Sequence, residues 1–329
     1  MYLKGECKVL FSKFIDHYAL NQLHKKKSKK SQFSVPKEIL EPIRREDFYQ
    51  VDTKDVQVNI DYDTGIYRFK SIVTSEFPIN DLVSGEVYLH AEGAANPNVI
   101  FVHGWRMNSY SKLKSMYHSR MSQLGWNMYY FPLAYHMDRT PPHSLYNGEL
   151  MISANIDRTV AAARQSIIDL RTLIHSIKQI NDGPIILVGV SLGGWITNLI
   201  ATLESELDAV VSVFYANRLA YSIWNTIPGR YIKEDLLQNG IDYKALLKHW
   251  EITDPSLTLP KIKKDNILLI SGKYDQYISL EDADYLWESW GKPPRKLYNC
   301  GHSGIVLQQK KIAEDTITFI QERIKSGYS

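Results

Sequence analysis

The stretch from Ile185 to Leu203 limits the possible folds of this chain more than any other. Ile185–Gly189 reads as a short apolar strand and Leu192–Leu203 as an apolar helix, with only a tight turn between them. That turn is Gly189-Val190-Ser191-Leu192-Gly193, a G-x-S-x-G pentapeptide. A strand passing directly into a helix crowds both flanks of the turn, and glycine relieves the crowding on each side. The serine between them is lifted clear of the sheet, near the helix N-terminus. Pro184–Leu203 also runs twenty residues without a charge, nominally the length of a membrane span. Its Pro184, three glycines, Ser191, Thr197, Asn198 and Thr202 fit a buried strand and helix better.

The surrounding pattern extends this unit into a layered fold. Val56–Asp61, Ile66–Ser75 and Gly85–His90 alternate as strands, separated by turn residues. Asn98–Val102 and Asn127–Leu133 are further apolar strands around an amphipathic segment, Tyr110–Leu124. Val160, Ile167, Ile174 and Ile177 give Asn155–Ile180 a helical period. Strands Asp208–Tyr215, Asn266–Ser271 and Lys296–Asn299 then alternate with helices Leu280–Trp290 and Val306–Lys325. Ser279, with Asp282 three residues on, reads as a capping box at the start of the first of these helices. An antiparallel start followed by β-α alternation predicts an α/β fold. Its sheet is mostly parallel and twisted, with helices on both faces. Residues 217–262 break the rhythm with short helical pieces and read as a helical cap insertion.

Two regions are expected, a basic, partly helical extension over residues 1–50 and one domain over 51–329 that contains the insertion. Charge supports the division. The first 50 residues carry 11 Lys/Arg and 6 Asp/Glu, while the whole chain of 329 is only +3. So even a balance argues against a nucleic-acid partner. Lys25–Lys30 (KKKSKK) follows a roughly helical stretch bearing Leu10, Phe14, Tyr18 and Leu23. It reads as a solvated helix and flexible loop; the alternative is docking of residues 1–31 on an anionic membrane surface. On either reading the extension is expected to be separable from turnover. Lys4, Glu6, Lys8, Lys13 and Asp16 interrupt any leader-like apolar run. Two cysteines, Cys7 and Cys300, make neither a disulfide framework nor a metal set, so the expectation is a cytoplasmic protein, at most peripheral to a membrane.

With its strand and helix context, the Gly189–Gly193 elbow resembles that of the α/β-hydrolase superfamily, and the resemblance runs from about residue 55 to the C-terminus. The superfamily's chain order of serine, acid and histidine then implies Asp275, after strand NILLIS, and His302, in the loop NCGHSG, 27 residues later. In those roles Ser191 is the nucleophile, His302 its base, and Asp275 the group that orients the imidazole. Glu204, Glu206 and Asp208 are alternative acids, but they lie at the wrong end of a helix-strand connection. Phe101-Val102-His103-Gly104-Trp105-Arg106 resembles the superfamily's oxyanion loop, which implies backbone N–H donors at Trp105 and Leu192 and a structural His103. Tyr135–Pro142 and Asp157-Arg158-Thr159 are similar to a group of bacterial α/β-hydrolases related to the eighteenth ABHD-type family, a likeness that implies no substrate.

The implied activity is cleavage of a carboxylic ester or thioester, a small-molecule substrate, through an acyl-enzyme on Ser191. Two alternatives stand beside it. One is a serine peptidase resembling the catalytic domain of prolyl oligopeptidases, and the other is a non-catalytic binding protein on the same fold. His136 and Arg139 either bind a polar group of the substrate or pin their loop. Trp224 and the other aromatic and aliphatic residues of 217–262 either line an apolar acyl pocket or hold the insertion on the body. No cofactor or metal is implied, and the sequence leaves the acyl group, leaving group and oligomeric state open.

Overall fold

One mixed sheet of nine strands organises the computed structural model, which describes residues 12–21, 32–38, 43–50, 52–53, 56–90 and 95–327. The strands are β1 (Asn59–Asp61), β2 (Ile66–Lys70), β3 (Leu82–Tyr88), β4 (Asn98–Val102), β5 (Asn127–Phe131), β6 (Ile185–Val190), β7 (Ala209–Val213), β8 (Ile267–Gly272) and β9 (Arg295–Tyr298). Their spatial order is β1-β2-β3-β5-β4-β6-β7-β8-β9. The pairings up to β3-β5 are antiparallel and those from β5 onward parallel. β4 lies between β5 and β6, so the chain crosses the sheet once early on and then advances in one direction.

Side-chain parity explains why the central strands are mostly apolar. Ile100 and Val102 of β4, Ile185 and Leu187 of β6, and Ile267 and Leu269 of β8 enter one core. Their neighbours Val99, Phe101, Ile186, Val188, Leu268 and Ile270 enter a second core on the other face. Both faces are covered, so both sets of alternate positions are mostly apolar, and the polar exceptions Asn98 and Ser212 are hydrogen-bonded, to Asn181 at 2.7 Å and Asn198 at 2.6 Å.

The first core is closed by α5 (Ile156–Ile180), α6 (Leu192–Ala201) and α10 (Leu280–Ser289). The second is closed by a helix in three parts, α3 (Ser111–Leu113), a π turn at Lys114–His118 and α4 (Ser119–Gln123), together with α11 (Ile305–Gly327). Asn155 caps α5 by accepting from the Arg158 N–H at 3.0 Å. The capping box expected at α10 does not form. Ser279 caps the Glu281 N–H, but Asp282 is buried and accepts from the Arg218 backbone at 3.0 Å and its Nε at 2.7 Å.

The insertion after β7 contains α7 (Leu219–Asn225), α8 (Arg230–Gln238) and α9 (Tyr243–Trp250). Leu236, Leu246 and Trp250 are buried in the first core, and the Trp250 indole donates to the Ile156 carbonyl at 3.2 Å. Much of its apolar surface therefore holds the insertion to the body.

Described parts of the first 50 residues pack on this body as well. They include α1 (residues 12–21) and α2 (Arg45–Tyr49). Tyr49 is buried, and Arg45 donates to the Asp254 carbonyl at 2.5 Å. Asp16 and Leu20 of α1 are buried, whereas Phe14 and Tyr18, expected on its apolar face, are 67% and 59% exposed. Leu10, Leu23, Cys7 and the lysine run lie outside the described residues. Among the described residues no helix is long and apolar enough to cross a membrane.

Candidate active site

Ser191 sits at the carboxyl end of β6 with φ 57° and ψ −115°, a strained conformation for a residue with a side chain. Close packing enforces the strain. A methyl on Gly193 would overlap the Val102 and His103 carbonyls, and one on Gly189 would overlap the Gly193 carbonyl. Leu192 opens α6, so its N–H belongs to the first turn, which has no intrahelical acceptor. Gly104 lies directly across from Ser191; a Cβ there would be 3.3 Å from the serine Cβ.

β8 and β9 deliver the other two residues expected from sequence. Asp275 Oδ1 accepts from the Tyr277 and Ile278 N–H groups at 2.8 and 2.9 Å, which fixes the carboxylate in its turn. Its Oδ2 lies 2.7 Å from His302 Nδ1. His302 Nε2 lies 3.1 Å from Ser191 Oγ. A carboxylate can only accept, so Nδ1 carries the proton and Nε2 offers a lone pair to the serine hydroxyl. This arrangement can withdraw a proton from Ser191 and stabilise the imidazolium that results. Burial pulls the imidazole pKa down, but the charge and hydrogen bond of Asp275 outweigh it, and Asp16 adds to them. The net shift is upward despite opposition from Lys112. Glu204 is engaged elsewhere, with Arg171 at 2.5 Å, and Asp208 caps the opposite end of β6 through the Ile185 N–H.

The remaining expected residues fall into three groups. His103 is fully buried; Nδ1 donates to the Gly104 carbonyl at 2.8 Å and Nε2 accepts from the Leu133 N–H at 3.1 Å. Burial holds its pKa down at about 4, so it is a neutral pin in its loop. For His136 and Arg139, expected either to bind a polar group of the substrate or to pin their loop, the contacts are those of a pin. Both are wholly buried. His136 Nδ1 donates to the Ala134 carbonyl, and Nε2 accepts from the Arg106 N–H at 3.2 Å, bracing the loop that contains Trp105. Arg139 donates to the Asn80 and Pro132 carbonyls and pairs with Asp169 at 2.7 Å. Trp224 stacks obliquely on Tyr243, 5.7 Å between centroids, with Lys233 over its ring, all within the insertion.

Several neighbours escaped the sequence reading. Tyr277 stacks on the His302 ring at 4.7 Å, and Phe214 meets its edge at 5.9 Å. Arg106 lies over Trp105 and Tyr146 at 4.7 and 3.9 Å. Asp16 reaches the His302 loop from α1, accepting from the His302 N–H at 2.9 Å. Tyr277 lies two residues from Asp275, but nothing in the sequence marks its ring as one that stacks on the imidazole. A lone aspartate in a charged N-terminal helix carries no such signal.

Comparison with known proteins places this geometry in context. No family model matches the chain. The uncharacterized protein YdjC of Bacillus subtilis is 69% identical over 115 residues, which are 35% of this chain and 99% of YdjC. The chain belongs to the YdjC family. The uncharacterized protein Rv2627c of Mycobacterium tuberculosis is 26% identical over 196 residues, 55% of this chain, and the match spans less than half, 43%, of that protein.

Solved structures agree on the fold. Acetyl xylan esterase 1 from Thermoanaerobacterium superposes with a TM-score of 0.63 at 14% identity, covering 85% of this chain and 93% of its own. The acylaminoacyl peptidase of Pyrococcus horikoshii gives 0.57 at 14% identity, covering 82% of this chain and 41% of its own. The α/β hydrolase GrgF from Penicillium gives 0.55 at 14% identity, covering 79% of this chain and 98% of its own. The fold is that of the α/β-hydrolases.

Proposed function

We propose that the chain is a serine hydrolase that cleaves a carboxylic ester or thioester through an acyl-enzyme on Ser191. The observation that carries this reading is the continuous chain of hydrogen bonds from Asp275 through His302 to Ser191, at 2.7 and 3.1 Å. His302 takes the serine proton as Oγ attacks the acyl carbon, then returns it to the departing alcohol or thiol. The N–H groups of Leu192 and Trp105 are the proposed donors to the tetrahedral oxyanion. His136 supports the second of them indirectly by holding the Arg106 N–H. The acetyl xylan esterase and peptidase neighbours favour acyl transfer to water as the reaction class and a small molecule as substrate.

Pre-steady-state hydrolysis of p-nitrophenyl acetate tests this reading. A burst of about one p-nitrophenolate per chain, followed by slower turnover, is expected if the acyl-enzyme accumulates. Ser191→Ala should show neither phase, and full turnover in that variant would contradict the proposal. An acyl-amino-acid anilide in the same assay separates the peptidase alternative, which requires amide cleavage at a rate comparable with the ester.

A further inference from the structure

We infer that Asp16, carried in by α1, is a positioning residue for His302, tying the Asp275 loop to the His302 loop through one buried carboxylate. The inference rests on the serine-hydrolase reading and adds to it a residue from the far end of the chain. Asp16 is fully buried, and its carboxylate accepts three backbone N–H groups. Oδ2 takes those of Gln276 at 3.1 Å and His302 at 2.9 Å, and Oδ1 takes that of Ser303 at 2.7 Å. The Tyr277 hydroxyl, whose ring stacks on the imidazole, donates to the Asp16 carbonyl at 3.1 Å.

These contacts take over where the β8-β9 ladder stops. Lys273 and Tyr274 still donate to the Tyr298 and Cys300 carbonyls at 2.8 and 3.1 Å. Two residues further on, the two loops point their N–H groups at Asp16 instead. Gly301 is shaped to this contact, because the nearest atoms a Cβ there would meet are the three atoms of the Asp16 carboxyl. Buried N–H groups without an acceptor are costly, so loss of the carboxylate should let both loops move. Misplacing a reacting group by about 1 Å can cost on the order of 10²-fold in rate.

The groups acting on the imidazole are Asp275 from its own loop, Asp16 from α1 and Lys112 from α3. Tyr277 and Cys300 are both pushed up to about 12, chiefly by burial, and stay neutral beside it. Asp16 therefore contributes a charge that favours the imidazolium as well as a geometric tie.

The test uses the full chain and reads the pH dependence of fluorophosphonate labelling at Ser191, alongside thermal melting. Asp16→Ala should lower the labelling rate by about 10²-fold. Asp16→Asn should lose less and move the acid limb to lower pH, because a negative charge beside the imidazolium is gone. Gly301→Ala should slow labelling alone but add little in the Asp16→Ala background, where the clashing atoms are absent. Should Asp16→Ala not fold, Asp16→Asn and Gly301→Ala carry the comparison. Wild-type labelling with variants of unchanged rate and pH midpoint overturns this inference alone. Absence of wild-type labelling removes the serine-hydrolase reading and this inference with it.

Discussion

The two halves of the site are built in opposite ways. The Ser191 half comes from one local segment: β6, a strained turn and α6 occupy Ile185–Ala201, and Gly189 and Gly193 supply the space within it. The His302 half is assembled from remote parts, with Asp275 from the end of β8, His302 from the end of β9 and Asp16 about 260 and 286 residues away. A local strained turn keeps its shape wherever its strand and helix form. A tie between remote segments holds only while all of them are seated. The position of Ser191 should therefore tolerate change at a distance better than that of His302 does.

The sharpest way to break this comparison is to remove each half in turn. Ser191→Ala and His302→Ala should each reduce kcat by roughly 10⁴–10⁶, and the double variant should lose little more, because both act in one step. Multiplicative losses in steady-state kinetics would mean that the halves do not cooperate.

A second test concerns Arg139, which pins the loop after β5. Burial pushes the Asp169 pKa up and the neighbouring Arg139 guanidinium pulls it down, with the balance upward. Removing the guanidinium strands a buried carboxyl, so Arg139→Ala should cost about 3–5 kcal/mol in chemical denaturation. A loss under about 1 kcal/mol would show that the residue is not the pin its contacts describe.

The pH profile separates the halves more gently. His302 must be neutral to accept the serine proton, so kcat/KM should rise with pH through an apparent pKa above the usual ~6.5 of histidine. Stability should run the other way. A group whose pKa is raised on folding stabilises the protein below its unfolded pKa, and that contribution fades as pH rises through the folded value. A profile flat from pH 5 to 9 would remove His302 as the base. The smallest effect is expected at Cys300. Its thiol is buried and raised to about 12, so Cys300→Ala should keep most activity.

How legible each half was follows from how it was built. Strand, glycines and helix within nineteen residues mark the elbow, and the apolar run Val99–Val102 behind Asn98 marks β4. The positions of Asp275 and His302 came from chain order on a resembling fold. Their support by Tyr277 and Phe214 did not, since aromatic residues in loops look alike whether they stack on a histidine or pack a core. Asp282 had the spacing of a capping acid, yet its pairing with Arg218 depends on how α7 and α10 meet in space. Asp16 was hidden for the same reason. Phe14 and Tyr18 belong to a stretch that reads as a solvated helix, whereas the acid they flank faces inward.

The central claim, that His302 and Asp275 activate Ser191 as a covalent nucleophile, is tested most directly by intact-mass measurement after fluorophosphonate treatment, with peptide mapping. The expected result is one adduct per chain, located on Ser191, absent in Ser191→Ala and strongly slowed in His302→Ala. An adduct that persists in Ser191→Ala, or one that forms at the wild-type rate without His302, would contradict it.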